Sequence, residues 1–425
     1  MIQSRHAELL ARAESGLGPG AAAATSWFVP GRIEFLGKHT DYAGGRSLVC
    51  ATEQGFALVA RPRRDRILRV VAAGADQAAE LPLDPRLPIP TGTWVAYPAT
   101  VVRRLARDFG PLDQGLELSL ASDLPRDAGL SSSSALVVGI ALAVAELNRL
   151  EAQPRWRAAF PDREALAGYL GAVENGKAFA ALAADGGVGT MGGTQDHTAI
   201  LCARPDKLCQ YGFDPVRFER AVPLPAGYGL AVAVSGVVAA KTREALALYN
   251  ARAEAVQRLL EVWRQGTGRS DPSLYAAIVS EPGASRRLAD LLRTRPDADR
   301  LSARLAQFTA ECEEIIPAVG DALARGDIAA LGALVDRSQD GAERGLENQV
   351  AETIQLQRSA RRLGAVAASA FGAGFGGSVW AMIARTEAPE FLRRWSETYL
   401  EDFPAHREQA RFLSTAAGGP AERLT

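Results

Sequence analysis

Apolar positions change their period about halfway along this chain. In the first half, short runs rich in β-branched and aromatic residues are separated by glycine- and proline-bearing turns. Residues 47–63 (SLVCATEQGFALVARPR), 67–73 and 115–125 read as strands, with 82–90 as a loop between them. Apolar residues at helical spacing follow Trp94 and Ser131, and again span about 163–182. Around residues 205–225 the composition turns loop-like, and a new strand begins at 228–236. Beyond it, the long Ala/Leu/Arg segments 241–265, 302–325 and 328–336 read as helices. The pattern closes on a helix, a glycine loop and the strand SVWAMIA at 378–384, and no internal repeat is visible. The expectation is an α+β protein of two domains, residues 1–215 and 216–425.

Length and composition sharpen that picture. A chain of 425 residues is too long for one ordinary core, which favours two domains. A composition of 47% hydrophobic and 23% charged residues describes a globular protein in water. A formal net charge of -1 argues against nucleic acid or an acidic membrane surface as partner. Cys50, Cys202, Cys209 and Cys312 are scattered without a CxxC pair, which suits reduced thiols better than disulfides or zinc. The first fifteen residues alternate charged and apolar positions, unlike a signal peptide. No stretch approaches the roughly 18 uninterrupted apolar residues of a membrane span. A cytoplasmic protein with no nucleic-acid or membrane partner is therefore expected.

Candidate chemistry gathers in four stretches. Residues 30–42, PGRIEFLGKHTDY, interleave Arg32, Glu34, Lys38, His39 and Asp41 with apolar residues, as in a strand that leaves a core and turns over a pocket. Residues 123–147 run from a strand end through Gly129 and four serines, Ser131 to Ser134, into an apolar helix. A helix N-terminus presents unpaired N–H groups to an anion, although serines there also serve as plain caps. Residues 369–383 carry Gly372, Gly374, Gly376 and Gly377, which allow close backbone approach to a ligand or merely a tight turn. Residues 173–200 place Glu174 on a helix and Asp196 after Gly192 and Gly193 in a turn.

In this order the four stretches resemble the GHMP sugar and small-molecule kinases, and within them the galactokinase branch. The first is similar to the signature GRxNxIGEHxDYxxG, and the serine stretch to the loop P-x-G-x-G-L-S-S-S-A. GGTQDH is similar to the GxMDQ segment and GAGFGG to the C-terminal glycine motif. TWVAY (93–97) and ALYNARAEA (247–255) add to a likeness that runs from about residue 28 to 384. It implies a two-domain fold, with a mixed sheet and helices in each domain and the active site in the cleft between them. It also implies ATP-dependent phosphorylation of a monosaccharide, at the anomeric hydroxyl in galactokinases. ATP and Mg²⁺ are the implied cofactors, and the chain is expected as a monomer or weak homodimer.

Carried over by position, Asp196 is the implied catalytic carboxylate. Arg32 keeps it ionised and stabilises charge on the moving phosphoryl group. Ser133, with Ser132 next in register, is the implied magnesium-side hydroxyl and Glu174 the metal carboxylate. Lys38, His39, Asp41, Gly193 and Tyr249 fall at the sugar. Gly129, Ser131, Ser132, Ser133, Ser134, Gly374, Gly376 and Trp94 fall at the nucleotide. Trp94 and Tyr249 read equally well as packing residues, and His197 stands where the family has Gln.

Two positions break the pattern. Asp127 replaces a glycine of the phosphate loop. Lys38 replaces the signature's glutamate, which in the family contacts the sugar at its C6 hydroxyl. An ammonium group only donates hydrogen bonds, whereas a carboxylate accepts them. The reversal favours a substrate with an acceptor or anion at that end, a uronic acid such as galacturonate. The competing reading is an internal pair between Lys38 and Glu34. A non-catalytic sugar- and ATP-binding sensor of the same fold is the alternative function, disfavoured by retention of Arg32, Asp196, Glu174 and the serine loop. HTDY (39–42) speaks against a mevalonate-type substrate. The lack of GxGxxG between strand and helix speaks against a dehydrogenase.

Overall fold

The computed structural model describes residues 2–17, 24–74, 78–125, 128–237 and 243–424. Asp127 therefore lies outside the described residues. The strands, in chain order, are β1 (Thr25–Leu36), β2 (Arg46–Pro62), β3 (Ile67–Ala72), β4 (Ala78–Pro82), β5 (Leu116–Ser122), β6 (Lys207–Gly212), β7 (Arg217–Pro223), β8 (Tyr228–Val234), β9 (Ala367–Phe371), β10 (Ser378–Ala384), β11 (Arg411–Thr415) and β12 (Glu422–Leu424). The first sheet runs β12-β1-β2-β5-β3-β4, with β6 on β2 and β7 on β6; the second runs β11-β8-β10-β9. The first sheet mixes one parallel pair, β3 with β5, into antiparallel neighbours. No described helix is long and apolar enough to cross a membrane.

One apolar cluster continues from the first sheet into the second, taking in Ile33 and Phe35 of β1 and Trp380 and Met382 of β10. Phe35 stacks on Trp380 with ring centroids 3.9 Å apart. Along β1, Ile33 and Phe35 take one face while Arg32 and Glu34 take the other, as period-two alternation requires. The register with β2 shifts between Pro30 and Arg32 and again between Glu34 and Leu36. Such bulges re-aim side chains and are common next to active sites.

Three sequence expectations shift. The expected boundary at 215/216 moves, because β7 pairs with β6 and carries the first sheet to Pro223, and β12 returns to β1 near the C-terminus. The glycine loop lies between two strands, since the alanine-rich residues before it form β9, antiparallel to β10 and buried throughout. Helix propensity is overridden there by pairing in a covered sheet. The helix expected over 163–182 is Arg163–Asn175, ended by Gly176 at φ 71°. The extended segment that follows reaches the cleft between the sheets.

Lys38 joins the two halves. It is 1% exposed, and its Nζ donates to Ser338 Oγ at 3.1 Å and Ser369 Oγ at 2.7 Å. The Ser338 hydroxyl in turn donates a hydrogen bond to Glu311 Oε1 at 2.9 Å, and the same oxygen accepts from Gly37 N–H at 2.8 Å. A buried ammonium is thereby tied through a hydroxyl to a buried carboxylate. The turn before it requires glycine, since a Cβ on Gly37 would stand 2.6 Å from Ser47 Cα at φ 108°. Lys38→Glu would set a third carboxylate beside Glu34 and Glu311. Urea unfolding is expected to show a loss of about 3 kcal/mol or more, as for a broken buried pair, with ligand preference unaltered. A variant as stable as the parent but altered in sugar preference would contradict this placement.

Candidate active site

A cavity of about 510 Å³ opens between the two halves. Every residue expected at the site lines it except Lys38, whose ammonium is committed to Ser338 and Ser369. The reading of Lys38 as a sugar contact is therefore corrected, and with it goes the reason to expect an anionic substrate. Lys38 does not ion-pair with Glu34 either, although its charge still acts on the Glu34 carboxyl.

At the cavity floor, Arg32 grips Asp196 in a two-pronged pair: Nε donates to Oδ1 at 2.7 Å and Nη2 to Oδ2 at 3.1 Å. The Arg32 side chain is 5% exposed and that of Asp196 is 30% exposed. The third prong of the guanidinium, Nη1, donates to the Gly129 carbonyl in the phosphate loop. Ser131 adds a hydrogen bond from its hydroxyl to Asp196 Oδ2. Its backbone is left-handed, φ 59° and ψ 43°, uncommon for a residue with a Cβ and typical of functional sites. Burial pushes the Asp196 carboxyl up, but the Arg32 charge and the Arg32 and Ser131 hydrogen bonds outweigh it and hold the group below its ordinary value. Asp196 also sits in the first turn of the Gln195–Cys202 helix, where the dipole favours negative charge.

Beside this pair, His39, Asp41, Gly193 and Tyr249 form one wall. His39 Nε2 lies 3.0 Å from the Ala373 carbonyl, which can only accept, so Nε2 carries the proton. Nδ1 then accepts from Tyr42 O–H at 2.9 Å. Burial, with the Arg304 charge adding to it, lowers the imidazole to about 3, so it is neutral. Both ring nitrogens are thus used inside the protein, and the ring packs against Tyr249 at 5.1 Å. Asp41 Oδ2 accepts from Gln195 N–H at 2.9 Å. Burial raises the Asp41 carboxyl above its ordinary value, against the backbone donors of Gln195 and Tyr42. Gly193 abuts that carboxylate so closely that a Cβ would fall 2.2 Å from Oδ2.

Gln195 is a hub that the sequence reading passed over. Its Nε2 donates to Glu34 Oε2 at 2.9 Å, and its Oε1 accepts from Ser47 Oγ at 2.6 Å. Glu34 itself lines the cavity. Burial raises its carboxyl to about 7 despite the charges of Lys38 and Arg32 and the Gln195 hydrogen bond. The signal was present in the sequence: on a strand, residues two apart share a face, so Glu34 follows Arg32 to the same side.

The phosphate-loop serines open the Ser132–Leu147 helix. Ser132 and Ser133 are half-buried in the cavity wall, whereas buried Ser134 donates to Glu174 Oε2 at 3.0 Å. The serine in contact with Glu174 is Ser134, while Ser132 and Ser133 line the cavity beside it. His197 Nε2 lies 2.9 Å from Glu174 Oε2, close enough for an ion pair but without hydrogen-bond alignment. The glycine loop covers this end: Gly374 at φ 79° leaves no room for a Cβ, which would meet the Asn348 carbonyl at 2.3 Å. Trp94 packs on the main core and also lines the cavity.

Comparison with known proteins agrees with this arrangement. The model for the GHMP kinases N terminal domain matches residues 96–204, the galactokinase galactose-binding signature matches 20–62, and the GHMP kinases C terminal model matches 321–401. A galactokinase of Roseiflexus sp. (strain RS-1) is 30% identical over 374 residues, covering 87% of this chain and 86% of its own. A galactokinase of Streptococcus mutans serotype c is 27% identical over 409 residues, covering 94% and 95%. The crystal structure of Lactococcus lactis galactokinase complexed with galactose superposes with a TM-score of 0.80 at 22% identity, over 98% of this chain and 99% of that one. The Methanococcus jannaschii mevalonate kinase shares the fold more distantly, with a TM-score of 0.56 at 14% identity over 94% and 99%. By its matched domains, its relatives and its fold, the chain belongs to the GHMP kinase family, in the galactokinase-like branch.

Proposed function

We propose that this galactokinase-like sugar kinase transfers the γ-phosphoryl group of ATP to the anomeric hydroxyl of a neutral monosaccharide of the galactose type, with Asp196 and Arg32 as the catalytic pair. The observation that carries the proposal is the two-pronged Arg32–Asp196 contact at the cavity floor, beside a serine-rich helix N-terminus. The names of the relatives favour galactose or a close analogue. The withdrawal of Lys38 from the cavity, with Asp41 and Glu34 left in its wall, favours an uncharged sugar over a uronate.

In the reaction the sugar oxygen bonds to the γ-phosphorus, the bond from that phosphorus to the bridging oxygen breaks with its electron pair left on ADP, and the hydroxyl proton is released to water. Both Asp196 oxygens already accept hydrogen bonds and the carboxyl is held below its ordinary value. That makes Asp196 a weak base and a good orienting acceptor, which suits a loose transition state where the proton leaves late. Arg32 stabilises Asp196 as an anion, and its guanidinium stands where charge on the transferred group develops.

Oxygen donors suit Mg²⁺, which binds one or two protein groups and completes its shell with water and substrate phosphates. Glu174 with the hydroxyls of Ser132, Ser133 and Ser134 fits that pattern, and no cluster of three His, Cys, Asp or Glu side chains competes for it among the described residues. Bound there, the ion would neutralise phosphate charge; Ser134 orients the Glu174 carboxylate for it. The helix N-terminus behind Ser132 and Ser133 supplies N–H donors for phosphate. Trp94 lies towards the nucleotide, and His39, Asp41, Gly193 and Tyr249 enclose the sugar.

ADP release with Mg·ATP across a panel of hexoses, pentoses and uronates tests the assignment. Turnover is expected with neutral sugars of the galactose type, and none with any sugar would favour the sensor reading. Asp196→Asn should lower kcat by about 10²–10³-fold or more while sugar binding persists. A kcat within tenfold of the parent would remove Asp196 from the chemistry. Gly193→Ala drives a methyl group into the Asp41 carboxylate. It should raise the sugar KM by at least about tenfold and leave the KM for ATP near its original value; equal effects on both would contradict a sugar-side role.

A further inference from the structure

Glu34 is the cavity-wall carboxylate with a buried oxygen that lacks a hydrogen-bond partner among the described residues. It is 4% exposed, Oε2 is held by Gln195, and Oε1 has no hydrogen-bond partner among the described residues. A buried carboxylate oxygen without a donor is costly, and native structures rarely keep one without a reason. Its setting argues against a purely structural role. Lys38, four residues on, donates to Ser338 and Ser369, and Arg32, two residues back, donates to Asp196 and Gly129. Neither donates to Oε1.

The position is also suited to reading a substrate. Arg32 and Glu34 lie two residues apart on one strand face, about 6.5–7 Å along β1. Glu34 and Asp196 line the same cavity, and that spacing is within the length of one hexose. Gln195 ties the two ends together, since its backbone N–H holds Asp41 and its side chain holds Glu34.

Resting on the sugar-kinase reading above, we infer that Glu34 is a specificity-determining residue, whose Oε1 accepts a hydrogen bond from a hydroxyl of a neutral sugar and which, when ionised, repels a carboxylate at that place. The site thereby carries its acceptor on the strand at residue 34, while position 38 is turned inward to join the two halves.

The test compares the full-length protein with Glu34→Gln, which keeps size and the contact to Gln195, and with the shorter Glu34→Asn. Steady-state kinetics with Mg·ATP would be run on neutral hexoses and on the matching hexuronates, with direct calorimetric titration of each sugar. Glu34→Gln is expected to raise the KM or Kd for the neutral hexose about tenfold, the usual cost of one hydrogen bond to a charged group. It should lower the hexose-to-hexuronate ratio by a similar factor, with the KM for ATP moved less than twofold. Should Glu34→Gln fail to fold, Glu34→Asn carries the same comparison. Unchanged sugar affinity and an unchanged ratio in a folded variant would overturn the inference while leaving the kinase reading intact. Wild-type protein that binds the hexose without turnover would overturn the kinase reading alone, because the Kd comparison still decides the role of Glu34. Wild-type protein that neither binds nor phosphorylates any neutral sugar would overturn both.

Discussion

The pair between Arg32 and Asp196 is the constraint on which the site's geometry depends. Its arginine comes from a sheet strand and its aspartate from the first turn of a helix more than 160 residues later, yet both must sit within hydrogen-bond distance inside the cleft. Removing one partner of such a pair would strand a charge in a poorly solvated place, so the two are held together at several points. The guanidinium gives two donors to Asp196 and one to Gly129, and the Arg32 N–H donates to the Leu130 carbonyl at 3.1 Å. Strand, phosphate loop and helix N-terminus are therefore fixed relative to one another by one side chain and its backbone. The order this imposes sets where a phosphoryl group and its acceptor can meet.

The second sheet completes the enclosure. Phe371, at the end of β9, lies with its ring centroid 5.8 Å from the Arg32 guanidinium, and Gly372 turns the chain directly beneath it. A Cβ at Gly372 would stand 3.3 Å from the Gly129 carbonyl, so the two glycine-bearing loops pack backbone against backbone. Lys38 and the Phe35–Trp380 stack hold the halves in this register from behind. The cleft is thus a product of both domains, and its walls are contributed by segments from Arg32 to Gly377.

Much of this was legible in the sequence. The strands at 47–63, 67–73 and 115–125 appear within a residue or a few, because short β-branched runs between turn residues leave few other options. Arg32, His39, Asp41, the serines, Glu174 and Asp196 converge on one cavity, as motif order implied. What could not be read was direction. Lys38 stands one residue from His39, yet the turn at Gly37 sends its side chain into the seam between domains, a fact fixed by partners 300 and 331 residues away. The alanine-rich β9 looked helical because propensity is local while sheet pairing is not. Helix phase, which four consecutive serines cannot reveal, decides that Ser134 is the one that meets Glu174. His39 has the residue type of a sugar ligand, but its nitrogens are taken by Tyr42 and Ala373.

A double-mutant cycle on the central pair is the most direct measurement. Arg32→Met, Asp196→Asn and the combined variant would be compared by kcat/KM for phosphorylation of a neutral hexose. Groups that act as one unit give strongly non-additive effects. The account predicts that the double variant is about as impaired as the worse single one, because either change already dismantles the pair. Losses that multiply, with the double variant falling by the product of the two single factors, would show that Arg32 and Asp196 act independently and would contradict it.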